Sequence, residues 1–226
     1  LDDAGVTHVH HFFQHRSAVA LAALWKEASA EADGANRRMM LWLTEQAIWG
    51  MSILARYAPT HYSQVNQYLN GVYYVGSQIV EVSPWYILDG KLGRLTKAFV
   101  ATKPLGKTAI VSTGSCTNLP LASQSVDYVF TDPPFGENIY YADLNFLVEA
   151  WHRVRTDAAP EAIVDQAKHK GINEYQDLMR RCFEEYFRVL KPGRWMTVVF
   201  SNSSNGVWRA IQEAMGVAGF VVADVR

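Results

Sequence analysis

Asp132, Pro133, Pro134 and Phe135 follow directly on the apolar run "VDYVFT" (126–131), and Gly136 comes next. Each residue type has a chemical use at the end of a strand. The Asp132 carboxylate accepts hydrogen bonds. Pro133 and Pro134 fix φ and carry no N–H, so that stretch of backbone offers carbonyl oxygens only. Phe135 gives a flat face on which a planar ring can stack, and Gly136 permits close approach. Two acceptors beside a stacking wall make a socket for an NH2 group conjugated to a ring. Such a nitrogen is a poor nucleophile, and acceptors that take both N–H groups favour the pyramidal nitrogen that forms as it attacks. The plain alternative is a turn that ends a strand, which prolines also make.

Other candidates lie around this loop. Lys168, His169 and Lys170, with Arg153 and Arg155, form a basic patch in and beside the polar stretch 156–173. It reads either as phosphate contacts or as a solvated loop, poorly ordered without substrate. Asn202 reads as a cleft residue or as a turn former. His8, His10, His11 and His15 have no familiar ligand spacing and read as solvated or helix-entry residues, with Phe12 and Phe13 packing inward. The seven tryptophans read mainly as core, with Trp42 and Trp49 on one helical face.

These side chains need a frame. Residues 16–32 have the periodicity of an amphipathic helix, 32–36 of a turn and 37–58 of a long buried helix. Residues 71–82 read as one or two strands, and a helix follows with Ser83 as N-cap and Pro84 in its first turn. From residue 105 the pattern changes. Strand 109–112 is followed by strand 126–131, helix 143–155, helix 174–190, the turn "KPG", strand 194–200, helix 205–218 and strand 220–225. Strands alternating with helices imply a parallel, doubly wound sheet, in which ligands bind beyond the carboxyl ends of the strands. The expected organisation is a mainly helical part (1–104) with a short strand pair, and an α/β part (105–226).

Composition narrows the classes. The chain has 226 residues, 49% of them hydrophobic, and a net charge of −1. It contains no apolar run of about 20 residues that would cross a bilayer, and Asp2 and Asp3 stand where a secretion signal would be basic. Cys116 and Cys182 make neither a zinc cluster nor a disulfide framework, which points to a reducing, cytoplasmic location. The weak net charge argues against a nucleic-acid partner unless charge is locally sorted. The chain begins without Met and stops after the apolar run "GFVVADVR", so it reads as a piece of a longer protein.

The succession "TGSC…LPLASQSVDYVFTDPPF", "YADLNFLVEAWHRV", "EEYFRVLKPGRWMTVVFSN" and "WRAIQEAMGVAGFVV" resembles the catalytic half of adenine-specific DNA methylases. These are amino methyltransferases that use S-adenosylmethionine. Within them it is most similar to the large prokaryotic kind with a zinc ribbon, as "HHFFQHRSAVALAALW" and "GVYYVGSQIVEVSPW" also suggest. The resemblance implies a Rossmann-like methyltransferase fold, in part, with Asp132, Pro133, Pro134 and Phe135 holding the target base. It implies that Thr113, Gly114 and Ser115, with Asp132, face the cofactor, and that Tyr140, Tyr141 and Asp143 line the loop after the catalytic turn. DNA is the implied partner and adenine N6 the first target; cytosine N4 and guanine N2 in RNA use similar loops. Two departures stand out. Ser115 occupies a place where the family commonly has Asp. The family's Gly-rich cofactor loop and its zinc-ribbon cysteines are absent, so both are expected upstream, in a missing part of the same polypeptide. From another class, the chain could be a non-catalytic nucleic-acid-binding or assembly module that kept the fold.

Overall fold

The computed structural model describes residues 5–65, 73–103 and 109–225. The fold is mixed α/β with small sheets, and it divides into two units: Leu1–Ala109 with Asp143–Thr156, and Ile110–Ala142 with Asp157–Arg226. The expected single division near residue 104 falls outside the described residues. Residues 143–156 group with the N-terminal part rather than with the α/β part.

In the first unit, α1 (His15–Ala30), α2 (Gly34–Met51) and α3 (Pro84–Thr102) pack with Leu147 and Trp151 from the end of a later helix, α4 (Tyr141–His152). The helix α2 starts earlier than its apolar pattern because Asp33 caps it, accepting from the amides of Ala35 (2.9 Å) and Asn36 (2.8 Å). It ends at Met51, not near 58, because the Ser52 hydroxyl takes the Trp49 carbonyl and Ile53 donates to the Phe12 carbonyl. The freed segment forms β1 (Arg56–Ala58), antiparallel to β2 (Tyr62–Gln64). Of the strands expected over 71–82, residues 71 and 72 lie outside the described residues. In the rest, Ile79 makes only an isolated bridge to Arg56. Phe12 and Phe13 are buried, while His8, His10 and His11 are exposed and His15 is the first residue of α1. The Tyr73 hydroxyl holds the start of the Asp143–His152 segment, bonding the Asp143 carbonyl (2.6 Å) and accepting from the Leu147 amide (3.2 Å).

In the second unit, β3 (Val126–Thr131) runs parallel to β4 (Leu190–Val198), and α5 (Ile172–Val189) leads directly into β4. β3 advances from Val126 to Tyr128 while β4 advances from Leu190 to Trp195, so Lys191–Arg194 bulge out. That bulge is the expected "KPG" turn, with Gly193 at φ +71° and Lys191 paired to Asp127 at 2.9 Å. Alternation then sorts the faces. Met196, Val198 and Phe200 pack on Tyr175, Met179 and Phe183 of α5 and on Val207, Ile211 and Ala214 of α6 (Asn205–Val217). Tyr175, Met179 and Phe183 of α5 recur every four positions, the spacing of one helical face. The opposite sheet face carries Tyr128, Phe130 and Trp195, and Trp195 is 66% exposed.

The strands expected at 109–112 and 220–225 are not formed. A strand is completed by its neighbour, and among the described residues no β-bridge reaches either run; Ile110 is 98% exposed. Likewise Trp42 and Trp85 lie at the surface rather than in the core. Among the described residues no helix is long and apolar enough to cross a membrane.

Candidate functional site at the end of β3

The amide of Val199 donates to the Thr131 carbonyl (2.9 Å), so pairing with the continuation of β4 persists to the last residue of β3. The backbone then leaves the sheet as Asp132–Gly136. Its carbonyls are taken one after another. The buried Tyr175 hydroxyl donates to Pro134 (2.7 Å), the Asn202 side-chain amide to Phe135 (2.6 Å) and the Val164 amide to Gly136 (3.2 Å). Tyr175 itself is fully buried. Burial pushes its phenol above the usual range, with the Gly136 amide working the other way. Asn202 makes a second tie, accepting from the Ser204 amide (2.6 Å) at the start of α6. Trp208 fastens the Asn202 carbonyl at 2.8 Å.

Gly136 sits at φ +75°, and a Cβ there would meet the Val207 methyls at 3.1 and 3.3 Å. Only glycine fits the chain this close to α6. Phe135 is half-buried, its ring edge-on to Phe200 with centroids 5.2 Å apart. Pro133 is buried and Asp132 is exposed. Among the described residues nothing hydrogen-bonds the Asp132 carboxylate or the Pro133 carbonyl. The loop therefore keeps one side-chain acceptor and two carbonyls, those of Asp132 and Pro133, uncommitted, in a frame held from three sides.

Tyr140 and Tyr141 are brought to the same loop. Burial raises the Tyr141 phenol first, and the negative charges of Asp132 and Glu161 raise it further. Glu161 accepts from the Ala142 amide at 3.3 Å, at the start of α4. Lys168 lies 5.9 Å from the Tyr140 ring centroid, within cation–π range, and pairs with Asp165 at 3.0 Å. Asp143 groups with the other unit.

The stretch 156–173 is tied down rather than open. Asp165 and Lys170 exchange both backbone hydrogen bonds (2.8 and 2.9 Å). The Lys170 ammonium donates to the carbonyls of Ala158 and Ala159, each at 2.9 Å, and to that of Glu161. At 8% exposure, this ammonium is turned into the loop and not toward a phosphate. Desolvation lowers its pKa. His169 stays exposed, at φ +55°.

Thr113, Gly114 and Ser115 are exposed. Cys116, beside them, shares the Tyr186 hydroxyl with Thr131 at the end of β3, so the segment lies at the same end of the sheet as Asp132. It does not form a cradle by itself. A Cβ on Gly114 would meet nothing within 4 Å, and the Ser115 hydroxyl is engaged by Thr117 at 2.8 Å. These residues alone do not fit around S-adenosylmethionine.

Sequence reasoning singled out Asn202 without a partner and did not single out Tyr175. The one signal for Tyr175 was its place on the apolar face of α5, which says core but not which carbonyl its hydroxyl meets. No protein-family model, curated protein or solved structure matches this chain.

Proposed function

We infer that this chain carries the acceptor half of an amino methyltransferase acting on a nucleic-acid base, adenine N6 in DNA first, with S-adenosylmethionine as the donor that the family resemblance implies. The β3/β4 parallel pair with its helical crossover would be part of a Rossmann-like sheet. One observation carries the reading: at the carboxyl end of β3, the Asp132 carboxylate and the carbonyls of Asp132 and Pro133 are the acceptors without a partner among the described residues, beside the half-buried ring of Phe135. The carboxylate with one of these carbonyls, Pro133 by the family resemblance, matches the two N–H bonds of one exocyclic amine. The base would reach them only out of the helical stack. Asp132 and Pro133 would grip the amine, Phe135 would stack, and Tyr140, Tyr141 and Lys168 would border the loop's outer side.

The test is binding, because it does not depend on the donor. Duplex DNA with adenine opposite an abasic site is compared with the same duplex carrying purine, which lacks the amino group. Losing a hydrogen bond to a charged acceptor is worth about 1.5–3 kcal/mol, so adenine should bind roughly tenfold or more tighter. Asp132→Ala should remove most of that preference and leave folding unchanged, since the side chain is exposed and unpaired. Equal affinity of the wild type for both duplexes overturns the reading. Transfer of tritiated methyl groups to DNA and RNA, followed by digestion, separates adenine from cytosine N4 and guanine N2.

A second reading is favoured by a specific observation: residues 113–115 build no cofactor cradle. On that reading the chain is a non-catalytic nucleic-acid-binding module. It predicts DNA binding without preference for adenine over purine.

A further inference from the structure

The geometry points to Tyr175 and Asn202 as positioning residues that decide which carbonyl of the Asp132–Gly136 loop faces the target amine. This rests on the acceptor reading above. A loop of alternating carbonyls has several ways to present one to a ligand. Here Tyr175 engages Pro134 and Asn202 engages Phe135. With Val164 on Gly136, the carbonyls left are those of Asp132 and Pro133, and Pro133 is the one beside the tied segment. The two side chains come from different elements, α5 and the turn before α6, so the loop is pinned to both helices that pack on one face of the sheet. Asn202 does two jobs at once: its amide nitrogen holds Phe135, and its oxygen takes the Ser204 amide. Neither residue is placed to touch the base; each acts through the backbone it holds.

The roles of Asn202 can be separated. Asn202→Asp keeps an oxygen for the Ser204 amide and removes the donor to Phe135, whereas Asn202→Ala removes both. Tyr175→Phe removes only the hydroxyl. All three, with the wild type, are assayed as the full chain for affinity to the adenine and purine duplexes and for hydrogen exchange at the amides of Gly136, which faces the Tyr175 hydroxyl, and Val164, which donates to the Gly136 carbonyl. A change in overall stability alone would not alter the ratio of two affinities.

The expected result is that Asn202→Asp and Tyr175→Phe each lower the adenine-over-purine ratio by about threefold or more, since small misplacement of reacting groups has large effects. Exchange at the Gly136 and Val164 amides should speed up by at least about tenfold, as expected when a local tie is lost. If both variants keep the wild-type ratio and exchange, and only Asn202→Ala is impaired, Asn202 serves as a helix cap and the inference is overturned. If the wild type shows no adenine preference, the acceptor reading fails, and the exchange rates decide the positioning role: faster exchange sustains it and unchanged exchange overturns it.

Discussion

Gly136→Ala tests the frame of the site at its tightest point. At φ +75° an alanine pays for a left-handed backbone, about 1–2 kcal/mol. Its Cβ would also stand 3.1 and 3.3 Å from the two methyls of the buried Val207 and 3.4 Å from the Asn202 amide nitrogen. Relieving that contact requires the loop or α6 to shift by a few tenths of an ångström, an overpacking cost of about 1–3 kcal/mol. The sum is roughly 2–5 kcal/mol, which for a chain of this size lowers the melting temperature by roughly 4–20 °C. Differential scanning calorimetry reads the shift directly. A double-mutant cycle with Val207→Ala separates the two causes. The contact part should couple by about 1–2 kcal/mol, while the backbone part remains. A Gly136→Ala protein that melts within about 1 °C of the wild type, or a cycle with no coupling, refutes the claim that the loop is pressed onto α6.

Three further outcomes follow from the same geometry. Lys170→Met strips the donor from the carbonyls of Ala158, Ala159 and Glu161. It should cost about 2 kcal/mol or more in a urea titration and speed exchange over 158–171; unchanged stability would mean the strut is dispensable. Arg188 first and the Leu119 amide second hold the Glu185 carboxyl down to about 2, against an ordinary 4.5. A depressed acid contributes stability that is fully present above its unfolded pKa and is lost as pH falls through its folded one. The wild type should therefore lose more stability than Glu185→Gln between pH 4.5 and about 2, as followed by thermal melts. Parallel losses in the two proteins would remove the carboxylate from the account. Calorimetric titration of S-adenosylmethionine into the chain should give at most weak heat, because residues 113–115 do not enclose it; micromolar affinity would contradict that.

What the sequence discloses about this site divides along the range of the forces involved. The chain corner at Asp132–Gly136 was legible because it is local. An apolar run ends, two prolines remove donors, and a glycine follows, all within a few residues. The helices α5 and α6 were legible for the same reason, since Tyr175, Met179 and Phe183, or Val207, Ile211 and Ala214, repeat with the helical period. Strand formation is different in kind. "AIVS" at 109–112 has the composition of β3, yet it stays exposed, because a strand is completed by hydrogen bonds to another segment and composition does not name that segment. The carbonyl ties are more distant still. Tyr175 reaches Pro134 across 41 positions and Asn202 reaches Phe135 across 67. Lys170 looked like a surface cation beside Lys168 and is instead a buried strut, although its carbonyl partners lie only 9 to 12 positions away. A basic residue in a polar stretch has two stable fates, water or a set of carbonyls, and the choice rests on whether the loop closes on itself. Here it closes through Asp165, and the cation that remains at the loop's edge is Lys168, over Tyr140. Chemistry at a loop can thus be read from the residues that make it, while the selection of one carbonyl out of several belongs to side chains far away in sequence. For that reason substitutions at Tyr175 and Asn202 test the site more sharply than changes within the Asp-Pro-Pro-Phe string itself.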